Sequence, residues 1–316
     1  MNAEEKRMYE ASIKSTDTEE FLDMWFYRPL GFRCALFFRN RGVHPNTITI
    51  LSIFLGVAAG ICFCQESLRW NILGMLLLIW ANLYDSTDGQ LARITGQKTR
   101  WGRILDGFAG DCWFFFIYFA ISVRETFEPI PFAPEYTWGV TVWILSSFCG
   151  FWVHGSQCQL ADYYRNIHLY FINEKNGHEF HNSGDVRKEY AATPWRGNFF
   201  WKIFLNAYIG YTANQERMSP AFQIFIKRVN ERYHSAIPGK LREEFRRCSL
   251  PLMKYTNILT FNSRALFLWF TMLVGHLWLY LFFEIFILGA LFIYMHHRHE
   301  ALCKRLTKEI EEGKYD

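Results

Sequence analysis

The chain has 316 residues, 51% of them hydrophobic and 19% aromatic, with a formal charge of +4. Mean hydropathy is near zero, yet the apolar residues gather in blocks of about twenty, the length that crosses a bilayer, with charges between the blocks. This distribution excludes intrinsic disorder and a water-soluble enzyme built on one mixed core.

The chain is polar from Met1 to about residue 20. It reads as a start without a signal peptide, the first span serving as its own insertion signal. From Thr18 to Arg41, Phe21, Leu22, Trp25, Phe26, Phe37 and Phe38 interleave with arginines and acids, and Pro29 divides the stretch. That pattern predicts an amphipathic helix lying in the membrane interface. Six spans follow, at roughly 46–64, 70–92, 102–122, 137–158, 258–277 and 279–296. The expected fold is therefore all-α: a polytopic membrane protein with six transmembrane helices and an N-terminal interfacial helix. Its segments are a cytoplasmic N-terminus (1–45), spans 1–4 (46–158), a basic cytoplasmic insert (159–257), spans 5–6 (258–297) and a cytoplasmic tail (298–316).

Orientation follows from lysine and arginine. Arg28, Arg33, Arg39 and Arg41 precede span 1; Arg93, Lys98, Arg100 and Arg103 join spans 2 and 3; Arg298, Lys304, Arg305 and Lys308 follow span 6. With the insert, these all fall on one side, which places both termini in the cytoplasm. A bacterial inner membrane and an endoplasmic reticulum both fit. Residues 160–256 carry a net charge of +6, leaving about −2 for the rest. Beside membrane spans, such a block is expected to face anionic lipid headgroups rather than nucleic acid. Eight cysteines, with no CxxC pair, read as reduced thiols.

Ionisable groups in spans are functional candidates by default. Asp85, Asp88, Asp106 and Asp111 sit at the cytoplasmic halves of spans 2 and 3. Asp85 and Asp88 are three apart and share a helix face. Carboxylates gathered there repel one another unless a cation neutralises them. An all-oxygen donor set suits Mg²⁺ or Mn²⁺, although pairing with Arg93, Arg100 and Arg103 is the plainer structural alternative.

The residues read Asp85-x2-Asp88-Gly89-x2-Ala92-Arg93-x8-Gly102-x3-Asp106. This resembles the signature of the CDP-alcohol phosphotransferase family, DxxDGxxAR, a spacer, then GxxxDxxxD, at seven of its eight fixed positions. His44-Pro45-Asn46-Thr47-Ile48-Thr49 resembles the family's entry to span 1. The resemblance implies an attack by an alcohol hydroxyl on the β-phosphorus of a CDP-linked substrate, release of CMP, and a homodimer. It makes Asp85, Asp88, Asp106 and Asp111 metal ligands, with Asp111 and Asp106 as the catalytic pair. Asp85, Gly89, Ala92, Arg93, Gly102 and Thr49 become the nucleotide-binding set. Glycine at 89 and 102 admits close backbone approach.

One position departs. The family's fourth Asp, its proposed general base, falls at Gly110, and the carboxylate comes one residue later at Asp111. In a regular helix, residue i+5 points about 140° away from residue i. A π-bulge near 107–111 would return Asp111 to the site. The alternatives are another base or an impaired, lipid-binding member of the family.

For the acceptor, Arg264 lies about 9 Å into span 5. It is either a snorkelling cation or an anion clamp. Arg103, His154 and Arg165, with Asn262, Ser263, Gln157, Gln159 and Asp162, complete a candidate acceptor pocket. These polar groups favour CDP-diacylglycerol as donor and a polar acceptor such as inositol phosphate or glycerol phosphate. Headgroup transfer from CDP-ethanolamine or CDP-choline onto a lipid alcohol is the alternative. His178, His181 and the run His296-His297-Arg298-His299 read as interfacial or solvated histidines.

Overall fold

The computed structural model describes residues 3–131, 133–172, 182–234 and 236–316. In chain order its helices are α1 (Ala3–Ser12), α2 (Arg28–Arg39), α3 (Pro45–Phe63), α4 (Leu68–Thr95) and α5 (Arg100–Glu125). An antiparallel hairpin of β1 (Pro129–Ile130) and β2 (Ala133–Thr137) follows. Then come α6 (Gly139–Phe148), α7 (Gly155–Ile172), α8 (Ser183–Ala192), α9 (Phe199–Met218), α10 (Pro220–Tyr233) and α11 (Gly239–Ile258). Last are α12 (Phe261–Val274), α13 (Trp278–Phe282) and α14 (Gly289–Glu311). Among the described residues, π-helical turns at Asp23–Tyr27, Cys149–His154 and Phe283–Leu288 lie within helical runs. All eight cysteines are free thiols.

The all-α expectation holds. Among the described residues, three helices are long and apolar enough to cross a membrane: α3, α5 and the run Trp278–Glu311. Their length and apolarity are what a membrane crossing needs. The other three expected spans are helical but differ in kind. Helix α4 has 28 residues and carries Asp85, Asp88 and Arg93 itself. The fourth runs from α6 through a π turn into α7, and is polar from His154 onward. Helix α12 has only 14 residues.

The chain divides into two compact units. The first comprises residues 1–155 and 262–286, the second 156–261 and 287–316. In the first, α3 packs on both α4 and α5. The approach to α5 is close because residue 56 is glycine: a Cβ there would lie 1.9 Å from Trp113 Cδ1. Trp113 Nε1 donates to the Ser52 carbonyl at 3.0 Å, which keys the two helices. Phe54, Trp80 and Phe115 remain exposed, as befits side chains facing lipid. Helix α4 ends at Gly96, whose φ of 70° is the left-handed stop that favours glycine.

The N-terminal stretch is one helical run from residue 21 to Arg39. Pro29 does not break it. It lies within the run directly after the π turn Asp23–Tyr27, whose widened hydrogen-bond pattern accommodates the missing N–H. Phe21 and Trp25 are exposed while Tyr27, Phe32 and Ala35 are buried, as the amphipathic reading requires.

In the second unit, α10, α11 and α14 surround Phe171, Phe225 and Phe245, with Phe171 and Phe245 stacked at 4.1 Å. The histidine run is solvated only in part: His297 and Arg298 are exposed and His296 is half-buried. Helix α14 continues well past the expected end of the span, so His299 is fully buried and stacks on Tyr164 at 3.7 Å. His296 Nδ1 meets the Tyr164 hydroxyl at 2.8 Å. His178 and His181 lie outside the described residues.

Candidate active site

Helices α4 and α5 bring Asp85, Asp88 and Asp106 together. One carboxylate oxygen from each lies within 4.8 Å of the others. Asp88 is buried, Asp85 half-buried and Asp106 exposed, so the cluster is seated at one end and open at the other. The short connection after Gly96 turns the chain back at a depth where Asp106, nearly two turns into α5, meets the Asp85–Asp88 face. Thr99 caps α5 by accepting from the Gly102 N–H at 2.9 Å.

The surrounding residues fix these carboxylates. Thr49 donates its hydroxyl to Asp88, and the Pro45 carbonyl lies 3.3 Å from the same oxygen. Its structural place is thus behind the carboxylate, orienting it. Arg93 donates to the Ser12 carbonyl and lies within Coulombic reach of Asp88. Gly89 lies beside the Arg93 guanidinium, and a Cβ there would sit 3.4 Å from it. At Gly102 a Cβ would come within 3.0 Å of Asn46 Oδ1, so α3 and α5 meet closely at the mouth of the cluster. Ala92 is half-buried and Arg103 exposed on the flanking turns.

One cation was missed by the motif. Arg28, from the N-terminal helix, donates to Glu19 at 2.9 Å and to Ser86 Oγ at 3.3 Å, and lies within Coulombic reach of Asp85. Gln90 donates to the Arg28 carbonyl at 3.1 Å. The sequence signal was present in the arginines interleaved with aromatics before span 1, but nothing local ties Arg28 to a residue 57 positions on.

The expected π-bulge is absent. Helix α5 is regular from Arg100 to Glu125. Asp111 therefore stays on its own face, turned from Asp106, and is not one of the three clustered carboxylates. An α-helix with no obstruction at Gly107 or Gly110 has no strain that a bulge would relieve. π turns occur instead at Cys149–His154 and Phe283–Leu288.

The candidate acceptor pocket divides. Arg264 is fully buried, and its guanidinium donates to Glu284, itself fully buried. It neither snorkels nor presents an open cation. Glu284 also accepts from the Tyr118 hydroxyl, and its Oε1 stands 3.7 Å from His154 Nδ1. Arg165 lies in the second unit and donates to Asn257 at 2.9 Å. There Gln159 accepts from Asn214 at 2.8 Å, and Asp162 from Tyr211 at 3.2 Å. These polar groups hold α7 against its neighbours in that unit. In the first unit, Asn262 donates to Glu20 at 2.7 Å and to Asp23 at 2.9 Å, tying the start of α12 to the N-terminal helix.

An all-oxygen cluster of three carboxylates fits a hard divalent cation, and the exposed Asp106 leaves a side for further oxygens. Residues 42–164 match the family model described as CDP-alcohol phosphatidyltransferase. The phosphatidylinositol phosphate synthase of Streptomyces avermitilis is 35% identical over 74 residues, 23% of this chain and 29% of that protein. An uncharacterised protein of Aquifex aeolicus is 41% identical over 81 residues, 26% of this chain and 40% of its own. The matches thus span well under half the length of either relative.

Proposed function

We propose, from the CDP-alcohol phosphatidyltransferase domain at residues 42–164, that the chain transfers a phosphatidyl group from CDP-diacylglycerol to a polar alcohol and releases CMP. The observation that carries this reading is the meeting of Asp85, Asp88 and Asp106 within 4.8 Å on adjacent helices of that domain. Asp85, Asp88 and Asp106 would hold Mg²⁺ or Mn²⁺. The ion would neutralise the pyrophosphate and the departing CMP.

The chain's own residues do the rest. Thr49 keeps Asp88 aimed into the cluster, Arg93 offsets the charge of Asp88 and Arg28 that of Asp85. Gly89 and Gly102 keep the approach to the carboxylates narrow but passable. The acceptor oxygen forms its bond to the β-phosphorus as the bond to the CMP oxygen breaks, and the hydroxyl proton passes to water. A phosphorylated acceptor, inositol phosphate or glycerol phosphate, rested on Arg264 and Arg165. The burial of the first and the engagement of both weaken that choice in favour of a polar alcohol in general. The basic lysine and arginine segments support cytoplasmic termini, and the family supports a homodimer.

Gly110, in place of the fourth carboxylate, favours a second reading: a lipid-binding member of the family without turnover. CMP release by the purified chain, supplied with CDP-diacylglycerol, Mg²⁺ and a panel of alcohols, tests the two. Acceptor-dependent CMP supports the transferase; no CMP with any pair, CDP-ethanolamine included, supports the second.

A further inference from the structure

Helices α8 and α9 pack on each other as a helical hairpin in the second unit. The base of the hairpin is clasped by Ser183, whose N–H and hydroxyl donate to Glu216 at 2.7 and 2.5 Å. Val186 of α8 meets Leu205 and Ile209 of α9, and all three are buried. That contact uses the inner face of α9. The outer face is apolar as well: Phe199, Phe200, Ile203 and Ala207 follow at helical spacing, with Asn206 among them, and all are exposed. Phe200 leaves 71% of its surface open.

The tip of the hairpin is pre-formed. Gly197, at φ 82°, supplies the left-handed turn before α9. Asn198 Nδ2 donates back to the Pro194 carbonyl at 3.3 Å. Lys202 is buried, and its ammonium sits 4.2 Å from the Tyr190 ring centroid and 4.8 Å from that of Trp195. This cation holds the indole from below while the outer part of the ring stays exposed. Trp195 also lies 6.1 Å from Phe199, so the exposed rings form one patch. A patch already ordered loses little side-chain entropy when something covers it.

The charge around the patch has one sign. From Tyr190 to Gln215 the chain carries no Asp or Glu, and its cations there are Arg196 and Lys202. Arg196 is exposed at the tip beside Trp195. On α8, Lys188 pairs with Asp185 at 3.3 Å, and Arg187 is exposed next to it. Exposed rings rimmed by arginines suit an anionic lipid surface: the rings enter the boundary below the headgroups, and the guanidiniums meet the phosphates. A second copy docked face to face suits the patch poorly. It would bring Arg196 of each copy to one contact, with no carboxylate in this stretch to offset them.

We propose that the α8–α9 hairpin is an in-plane membrane anchor for an anionic leaflet. Trp195, Phe199, Phe200 and Ile203 enter the lipid boundary, and Arg187 and Arg196 bind lipid phosphates. The anchor is separate from the carboxylate cluster and does not depend on the transferase reading. It gives the positive charge spread over residues 160–256 a definite surface.

The test is photo-cross-linking of the full-length chain in nanodiscs of phosphatidylcholine, with or without phosphatidylglycerol. The variants are Phe200→p-benzoylphenylalanine and, as a control on an exposed position of α10, Lys227→p-benzoylphenylalanine. Mass spectrometry identifies what each probe captures. We expect lipid adducts at position 200 that rise severalfold with phosphatidylglycerol, and few at position 227. Adding Arg187→Gln and Arg196→Gln should lower the gain from phosphatidylglycerol by at least about fivefold, the weight of one cation at an anionic surface. Both arginines are exposed, so thermal unfolding in detergent should not change. Capture of a second copy of the chain at position 200 would overturn the proposal and make the patch a contact between copies. Absence of lipid adducts at 200, equal labelling at 227, or labelling indifferent to phosphatidylglycerol and to the two arginines would overturn it as well.

Discussion

Arg264 and Glu284, twenty residues apart, form an ion pair with both side chains fully buried in the first unit. Removing one partner of such a pair strands the other charge, at a cost of about 3–5 kcal/mol, while removing both is close to neutral. Glu284→Gln and Arg264→Met alone should therefore lower the unfolding temperature in detergent sharply, and the double variant should recover most of the loss. Additive losses in the double variant would show that the two charges are satisfied independently of each other.

Thr49 offers a cleaner probe of the carboxylate cluster, because it touches Asp88 and need not touch substrate. Residues that orient a ligand are typically worth about 10–100-fold in metal affinity. Thr49→Val should raise the Mn²⁺ concentration needed for half-maximal activity by a factor in that range and leave kcat at saturating metal near the wild-type value. An unchanged metal requirement would remove Thr49 from the support of Asp88.

The motif residues were legible because they are close in sequence and carry strict spacing. Asp85 and Asp88 share a helix turn, and Asp106 opens the next helix, so local geometry alone brought them together. The helical class and the amphipathic N-terminal run were legible for the same reason. Arg28 and Glu284 were not. Each reaches its partners across a long stretch of chain, and a single Glu in an apolar run looks like any costly charge until Arg264 is placed opposite it. The bulge expected at 107–111 was inferred from one displaced Asp; helix α5 instead stays regular from Arg100 to Glu125 and leaves Asp111 out of the carboxylate cluster. The histidines of α14 all looked solvated because hydropathy falls there; His297 is indeed exposed, but α14 continues past the expected end of the span and buries His299.

Helix α3 meets α5 at Gly56, where a Cβ would fall 1.9 Å from Trp113 Cδ1. Backbone and indole must both shift to admit any side chain. Gly56→Ala should cost about 1–3 kcal/mol, as overpacking does, and Gly56→Leu should prevent recovery of folded protein. Size-exclusion and thermal unfolding of the purified variants measure this. Wild-type stability in Gly56→Leu would contradict the close packing of these helices.

Gly110 occupies the position of the family's fourth carboxylate and has open space around it. Gly110→Asp should fold normally. A well-placed proton acceptor contributes about 10²–10⁴-fold to such reactions, and kcat should rise severalfold. An unchanged kcat in a folded Gly110→Asp protein would show that a carboxylate at this position takes no part in the reaction.

The most direct measurement is acceptor-dependent CMP release from CDP-diacylglycerol by the purified chain. It is followed with Mg²⁺ or Mn²⁺, with a chelator, and with Asp85→Asn and Asp106→Asn alongside. The account predicts metal-dependent CMP that falls by at least about 100-fold in either variant, since charge stabilisation at the reacting phosphate is the dominant contribution. CMP release at the wild-type rate in the chelator, or in a folded Asp85→Asn protein, would contradict it.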